Sequence, residues 1–233
     1  MGVGGVLLPP RTYFPKVQAV LEKYDVLLID DEVITGFGRT GELWGAQAFG
    51  MRPSTLTAAK ALSSAYLPIS AVIVPAFIYE PMVEASGQVG LFGHGFTYSG
   101  HPVSAAVALR ALQIYEERKL YEHVREIAPQ FQARLAALAA HPLVGETRGI
   151  GLVGGCELVH NKTTKVAFDT RYAVGAKCMQ LCQERGLIVR AIGDVIALCP
   201  PFIVTPQQID EIFMLLGQGL DDTLAWARRE RLL

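Results

Sequence analysis

The sequence predicts an α/β fold in two parts, a parallel-sheet portion followed by a smaller α+β portion. Three observations carry this. A strand–helix–strand spacing opens the chain over residues 5–29. An apolar run of strand type, Leu27-Leu28-Ile29, ends in three consecutive acids, Asp30-Asp31-Glu32. In the second half, short apolar runs alternate with long helical patterns, as an α+β domain requires.

The elements follow in order. Residues 5–9 read as a short strand. Residues 13–24 read as an amphipathic helix with Val17, Val20, Leu21 and Tyr24 on one side. Residues 25–29 are an apolar strand, and the spacing is that of a βαβ unit in a parallel sheet. Residues 69–74 give a further strand. Residues 101–118 form an alanine-rich helix opened by Pro102, a good first-turn residue. Helix continues over residues 120–140, with a kink or break expected at Pro129, and His141-Pro142 ends it. Residues 150–159 read as a strand whose glycines allow close backbone approach. Residues 169–185 are helical, closed by Gly186. Short strands at residues 187–191 and 195–199 flank the turn Ile192-Gly193-Asp194. Pro206–Arg229 is a terminal helix with Pro206 in its first turn. The boundary between the parts falls within residues 105–130, giving domains of residues 1–115 and 116–233.

The chain has 233 residues, 51% of them hydrophobic, enough for a substantial core. Its net charge of −1 argues against nucleic acid or an anionic membrane as the main partner. The apolar stretch at residues 68–77 is broken by proline and too short to span a bilayer. The first residues lack the charged region of a signal peptide, so a cytoplasmic location is the expectation. Of the four cysteines, Cys178 and Cys182 lie four apart, but no histidine or second cysteine pair is nearby in sequence. Buried free thiols are expected, and no metal site.

Two features carry chemistry. Lys60 sits among small and apolar neighbours, Leu56-Thr57-Ala58-Ala59-Lys60-Ala61-Leu62-Ser63-Ser64. Enclosed by apolar groups, a lysine loses its preference for the ammonium form and becomes nucleophilic, as Schiff-base chemistry needs. The alternative is a surface lysine. The acids at the end of residues 27–33 lie where open α/β sheets bind ligands, beyond the carboxyl ends of strands. Such an acid can hold the ring nitrogen of a pyridine cofactor protonated, or it can cap a loop.

Other constellations are weaker. Gly36-Phe37-Gly38-Arg39-Thr40-Gly41 matches a dinucleotide fingerprint, but Glu42-Leu43-Trp44-Gly45 is a poor helix start and no acid follows at the required distance. A turn-rich loop is the better reading. Thr57-Ala58-Ala59-Lys60 echoes a serine-x-x-lysine hydrolase motif without its other elements. Phe96-Thr97-Tyr98-Ser99-Gly100 is a hydroxyl-rich loop before a helix, suited to phosphate or simply to helix capping. Arg190 at a strand end suits carboxylate recognition or a surface ion pair.

Four segments together meet a familiar pattern. Residues 29–41, Ile-Asp-Asp-Glu-Val-Ile-Thr-Gly-Phe-Gly-Arg-Thr-Gly, resemble the acidic strand and glycine loop of class III (omega-type) aminotransferases. Residues 57–72 resemble that family's lysine segment, residues 94–102 its dimer-crossing phosphate loop, and residues 188–194 its mobile-arginine segment. The order is the family's, and the resemblance runs over nearly the whole chain. It implies a fold-type I transferase dependent on pyridoxal 5′-phosphate: the rear of the large parallel-sheet domain, then a C-terminal α+β small domain. It implies a homodimer with shared active sites. Lys60 would carry the cofactor as a Schiff base, Asp31 would hold the pyridinium proton and Val33 would pack on the ring. Thr97 would reach the cofactor phosphate in the partner subunit. Phe96 and Arg190 would meet the substrate, Arg190 swinging in for a carboxylate. The expected reaction moves an amino group from an amine or omega-amino acid to a keto acid such as pyruvate. In the family, a preceding region normally supplies a glycine/serine phosphate loop and a ring-stacking aromatic, and that region has no counterpart here. The alternatives are a truncated or split-gene piece without activity of its own, or a different reaction on the same scaffold.

Overall fold

The computed structural model describes residues 2–233, which form two compact units. One is Pro10–Tyr121; the other joins residues 2–9 to Glu122–Leu233.

In the Pro10–Tyr121 unit, helix α1 (Tyr13–Lys23) leads to strand β1 (Ile29–Asp31), a short helix α2 (Gly45–Ala48) and strand β2 (Thr55–Ala58). A single 3-10 turn, Lys60–Leu62, follows directly. Strand β3 (Ala71–Ile73) and helices α3 (Ala76–Val89) and α4 (Pro102–Glu117) complete the unit. The sheet order is β1-β2-β3, with β1 and β2 parallel and β3 antiparallel to β2. In register, Ile29, Asp30 and Asp31 face Thr55, Leu56 and Thr57. Little of this unit is dry. Helices α1 and α3 bury no residue. Ile29 and Val72 on the sheet are exposed, and the packed interior is confined to Phe37, Ala58, Ala108, Ala111, Tyr115, Leu120 and their neighbours.

The other unit has a dense core. Helix α5 (Leu120–Ala137) carries the chain into it. Strands β4 (Val144–Ile150) and β5 (Val153–Leu158), helix α6 (Val174–Glu184), strands β6 (Arg190–Ile192) and β7 (Val195–Leu198), and helix α7 (Pro206–Arg229) follow. The sheet is antiparallel, in the order β4-β5-β7-β6. Val124, Ile127, Phe131 and Leu135 line α5 at helical spacing and are buried, as are Ile209, Phe213, Leu216 and Leu220 of α7. Phe131 and Phe213 meet edge-to-face at 5.2 Å. Both faces of β5 are covered, which its glycines permit. A Cβ on Gly154 would lie 2.6 Å from Leu135, and one on Gly155 would lie 3.1 Å from the Gly5 carbonyl.

Several expectations need correction. Residues 5–9 are not a strand. Gly5 and Val6 both have positive φ, which breaks an extended backbone, and the Gly5 carbonyl accepts two bonds from the Arg148 guanidinium at 3.0 and 2.8 Å. The segment docks on the β4–β5 sheet, so there is no βαβ unit at the start; the parallel partner of β1 is β2. The helix break comes at Arg118-Lys119, where Lys119 has φ +50°, and not at Pro129, which lies inside α5. Buried side chains on both sides of Pro129 hold α5 together and offset the lost backbone bond. Residues 150–159 are the turn and second strand of a hairpin whose first strand, β4, went unread. Residues 169–185 split into a 3-10 turn, Thr170–Tyr172, and α6, because Ala173 sits at φ +47° between them. Cys156, Cys178 and Cys182 are buried free thiols, but Cys199 is exposed. No helix among the described residues is long and apolar enough to cross a membrane.

Candidate active site

Two strand ends make the site. Strand β1 ends at Asp31, and the backbone stays paired one residue longer, with Glu32 N–H donating to the Thr57 carbonyl at 2.9 Å. Alternation puts Asp31 on one face of the sheet and Asp30 and Glu32 on the other. The three acids therefore do different things.

Glu32 is 1% exposed. Its carboxylate accepts from the Thr35 hydroxyl at 2.5 Å and from the N–H groups of Gly45 and Ala46 at 2.9 and 2.7 Å. It thus ties the strand end to the start of α2 and fixes the intervening loop. The sequence reading gave Glu32 no role; strand alternation was the signal that could have found it. Asp30 is half-buried, and burial pushes its carboxyl up to about 7, with the charges of Glu32 and Asp31 adding to the effect.

Asp31 is exposed, and its Oδ1 accepts from Val33 N–H at 3.0 Å. It therefore does cap the loop. That bond uses one oxygen, and the Asp31 side chain makes no other hydrogen bond or ion pair among the described residues. Val33 is half-buried beside it.

Lys60 begins the turn after β2, three residues beyond Thr57. It takes a left-handed backbone, φ +46°, unusual for a residue with a side chain. The expectation of an apolar enclosure is corrected: Lys60 is exposed. Its immediate neighbours are small, but Ala58 alone among them is buried on this stretch before Ser63.

The glycine-rich segment 36–41 is a turn-rich loop and opens no helix at Gly41, which disposes of the dinucleotide reading. Phe37 and Trp44 pack at 5.0 Å across it. Phe96 and Thr97 lie in the irregular stretch ahead of α4, both exposed, Phe96 at 81%. Phe96 N–H donates to Ser99 Oγ at 2.9 Å, and His101 Nδ1 accepts from Val103 N–H at 3.3 Å, so it is His101 that caps α4.

Arg190 belongs to the other unit. It opens the edge strand β6 opposite Ala197 and is exposed, with no ion pair among the described residues. The two-residue turn behind it, Gly193-Asp194, is well held. Asp194 Oδ1 accepts from Gly175 N–H at 2.8 Å, and a Cβ on Gly175 would lie 2.2 Å from the Gly193 carbonyl. No group of three or more metal-ligating side chains clusters among the described residues.

The pairing of a strand-end carboxylate with a lysine turn on the next parallel strand can be compared with known proteins. The family profile described as Aminotransferase class-III matches residues 1–220.

The chain belongs to the class-III aminotransferases.

Relatives of this class-III chain agree. A probable gamma-aminobutyrate transaminase 3, mitochondrial, of Oryza sativa subsp. indica is 50% identical over 223 residues, 96% of this chain and 44% of the relative. A mitochondrial gamma aminobutyrate transaminase 1 of Solanum lycopersicum is 48% identical over the same length, 43% of its own chain. The omega transaminase of Pseudomonas jessenii, solved in complex with PMP, superposes with a TM-score of 0.94 at 46% identity, over 97% of this chain and 50% of that one. A transaminase solved with L-ala gives 0.93 at 52% identity, over 97% and 53%. The class-III chain spans about half the length of the relatives it matches. Its fold is that of the fold-type I enzymes.

Proposed function

We propose that this chain contributes the lysine, the ring-nitrogen carboxylate and the substrate arginine of a pyridoxal phosphate-dependent transaminase. The observation that carries the reading is the register of β1 on β2. It sets Asp31 and the Lys60 turn at the carboxyl ends of adjacent parallel strands, the place where open α/β sheets bind ligands. The family match supports it.

The donor set fits the cofactor: one amine, one carboxylate and the half-buried Val33 side chain beside the carboxylate. Pyridoxal phosphate supplies an electron sink for charge developing at the amino donor's Cα. Lys60 would hold the cofactor and, once free, would carry the proton from that Cα to the cofactor carbon, acting first as general base and then as general acid. Asp31 would keep the ring nitrogen protonated. Val33 would pack against the cofactor. Thr97 would donate to the phosphate held by a partner subunit, in a homodimer with shared sites. Phe96 lines the substrate side, and Arg190 pairs the carboxylate of an amino or keto acid through its planar fork. The acceptor class is a small keto acid such as pyruvate, and the donor an amine or omega-amino acid. The named relatives are gamma-aminobutyrate transaminases, which supports a donor of that class.

The test is amino transfer to pyruvate by the chain supplied with pyridoxal phosphate and an omega-amino acid. Alanine forms with the parent and not with Lys60→Ala. Asp31→Asn retains cofactor and loses most of its turnover. Equal alanine formation by the parent and Lys60→Ala contradicts the reading.

A further inference from the structure

The lysine turn is backbone-strained and needs an external brace. Lys60, Ser64 and Ala65 have φ values of +46°, +51° and +62°. Non-glycine residues held there cost about 1 kcal/mol or more each, and they persist only where surrounding structure fixes them. The turn's own bonds are local. Leu62 N–H donates to Ala59 O at 3.0 Å, Ala65 N–H to Lys60 O at 3.3 Å, and Ser63 Oγ to Leu67 O at 2.6 Å. Local bonds close the loop but do not anchor it to the rest of its unit.

An anchor comes from α4. The Tyr115 hydroxyl lies 2.5 Å from the Ala61 carbonyl and 2.5 Å from Ser64 Oγ. A carbonyl only accepts, so Tyr115 donates to Ala61 and the Ser64 hydroxyl donates to Tyr115. One phenol thus grips the residue after Lys60 and one of the strained positions beyond it. Tyr115 is 4% exposed and its ring meets Tyr121 edge-on at 6.2 Å, so the grip is rigid. Burial raises the Tyr115 hydroxyl above its ordinary range, with the Ser64 bond and the Arg39 charge acting the other way. It remains a neutral donor near neutral pH.

We propose that Tyr115 is a positioning residue for Lys60, bracing the turn from α4 through Ala61 and Ser64 so that the amine is presented at the end of β2. The proposal rests on the reading of Lys60 as the cofactor-holding residue. Nothing in it requires Tyr115 to touch the cofactor.

The experiment treats the chain with pyridoxal phosphate, reduces with borohydride, and quantifies the adduct on each lysine by peptide mapping over time and across pH. Exposed Lys16 and Lys23 serve as internal references. Tyr115→Phe keeps the ring and removes the hydroxyl; thermal unfolding checks that it stays folded. The expected result is capture at Lys60 slowed about fivefold relative to Lys16 and Lys23, the worth of one ordinary hydrogen bond, with an altered pH profile. Ser64→Ala, at an exposed position, gives a smaller slowing in the same direction and decides the matter if Tyr115→Phe fails to fold. An unchanged Lys60 ratio in a folded variant overturns the role of Tyr115 and leaves Lys60 intact. A parent chain whose Lys60 is captured no faster than Lys16 and Lys23 overturns the Lys60 reading, and the proposal with it.

Discussion

Asp31 stands directly opposite Thr57 on the neighbouring parallel strand, and three residues past Thr57 the chain reaches Lys60. Adjacent strands lie about 4.8 Å apart, and three residues span at most about 10 Å. Asp31 and Lys60 therefore leave neighbouring parallel strands at the same end of the sheet. The 28 residues between them in sequence are taken up by the glycine loop, α2 and β2. The fold class puts ligands beyond such strand ends, and both chemistry-bearing side chains are at that end.

Glu32 makes the arrangement rigid. Glu32→Ala leaves the Thr35 hydroxyl and the Gly45 and Ala46 N–H groups without their acceptor. It should destabilise the chain by about 3 kcal/mol, as buried bonds to a charged group predict. Glu32→Gln keeps one acceptor oxygen and should cost less. Urea unfolding measures both; a Glu32→Ala loss below about 0.5 kcal/mol would show that the carboxylate is not holding the loop.

Asp30 makes stability depend on pH. Its carboxyl is pushed from an ordinary 3.8 up to about 7, by burial first and by Glu32 and Asp31 next. Between those values the unfolded chain has lost a proton that the folded chain keeps. Folding takes up a proton there, so stability falls as pH rises from about 4 to about 7. Asp30→Asn removes this contribution. The variant should gain Tm over the parent at about pH 8 compared with about pH 5. A difference in Tm that does not change with pH rules out the shifted carboxyl.

Arg190 tests the substrate end. Arg190→Ala should raise KM for donors and acceptors bearing a carboxylate by about tenfold or more, the worth of a charge-assisted bond. Simple amines should be little affected in their own half-reaction. Equal losses for both classes remove the carboxylate role. The turn behind Arg190 is anchored on α6, so the substitution should leave Tm nearly unchanged.

The legible parts of the fold were those with local signals. Pro206 marks the start of α7, and the structure adds a capping box of Thr205 and Gln208 there. Gly193-Asp194 between apolar runs marks the β6–β7 turn. What was missed depends on partners far away in sequence. Strand β4 looked polar because Arg148 sits in it, yet that guanidinium is paired with Glu157 and with the Gly5 carbonyl. Helix α3 has Pro81 inside it and buries no face, so no amphipathic period announced it. Apolar neighbours in sequence do not enclose a side chain at a strand end, so Lys60 is more open than its neighbours implied. The link from Tyr115 to Ser64 spans 51 positions and leaves no local trace. The resemblance pointed to Asp31 and Lys60, but the distinct work of Asp30 and Glu32 needed the strand geometry.

The most direct measurement is to expose the chain to pyridoxal phosphate, reduce with borohydride and locate the modified residue by peptide mapping, for the parent and for Asp31→Asn. The account predicts modification concentrated on Lys60, weakened when Asp31 loses its charge. Modification spread evenly over the exposed lysines, the same in both proteins, would contradict it.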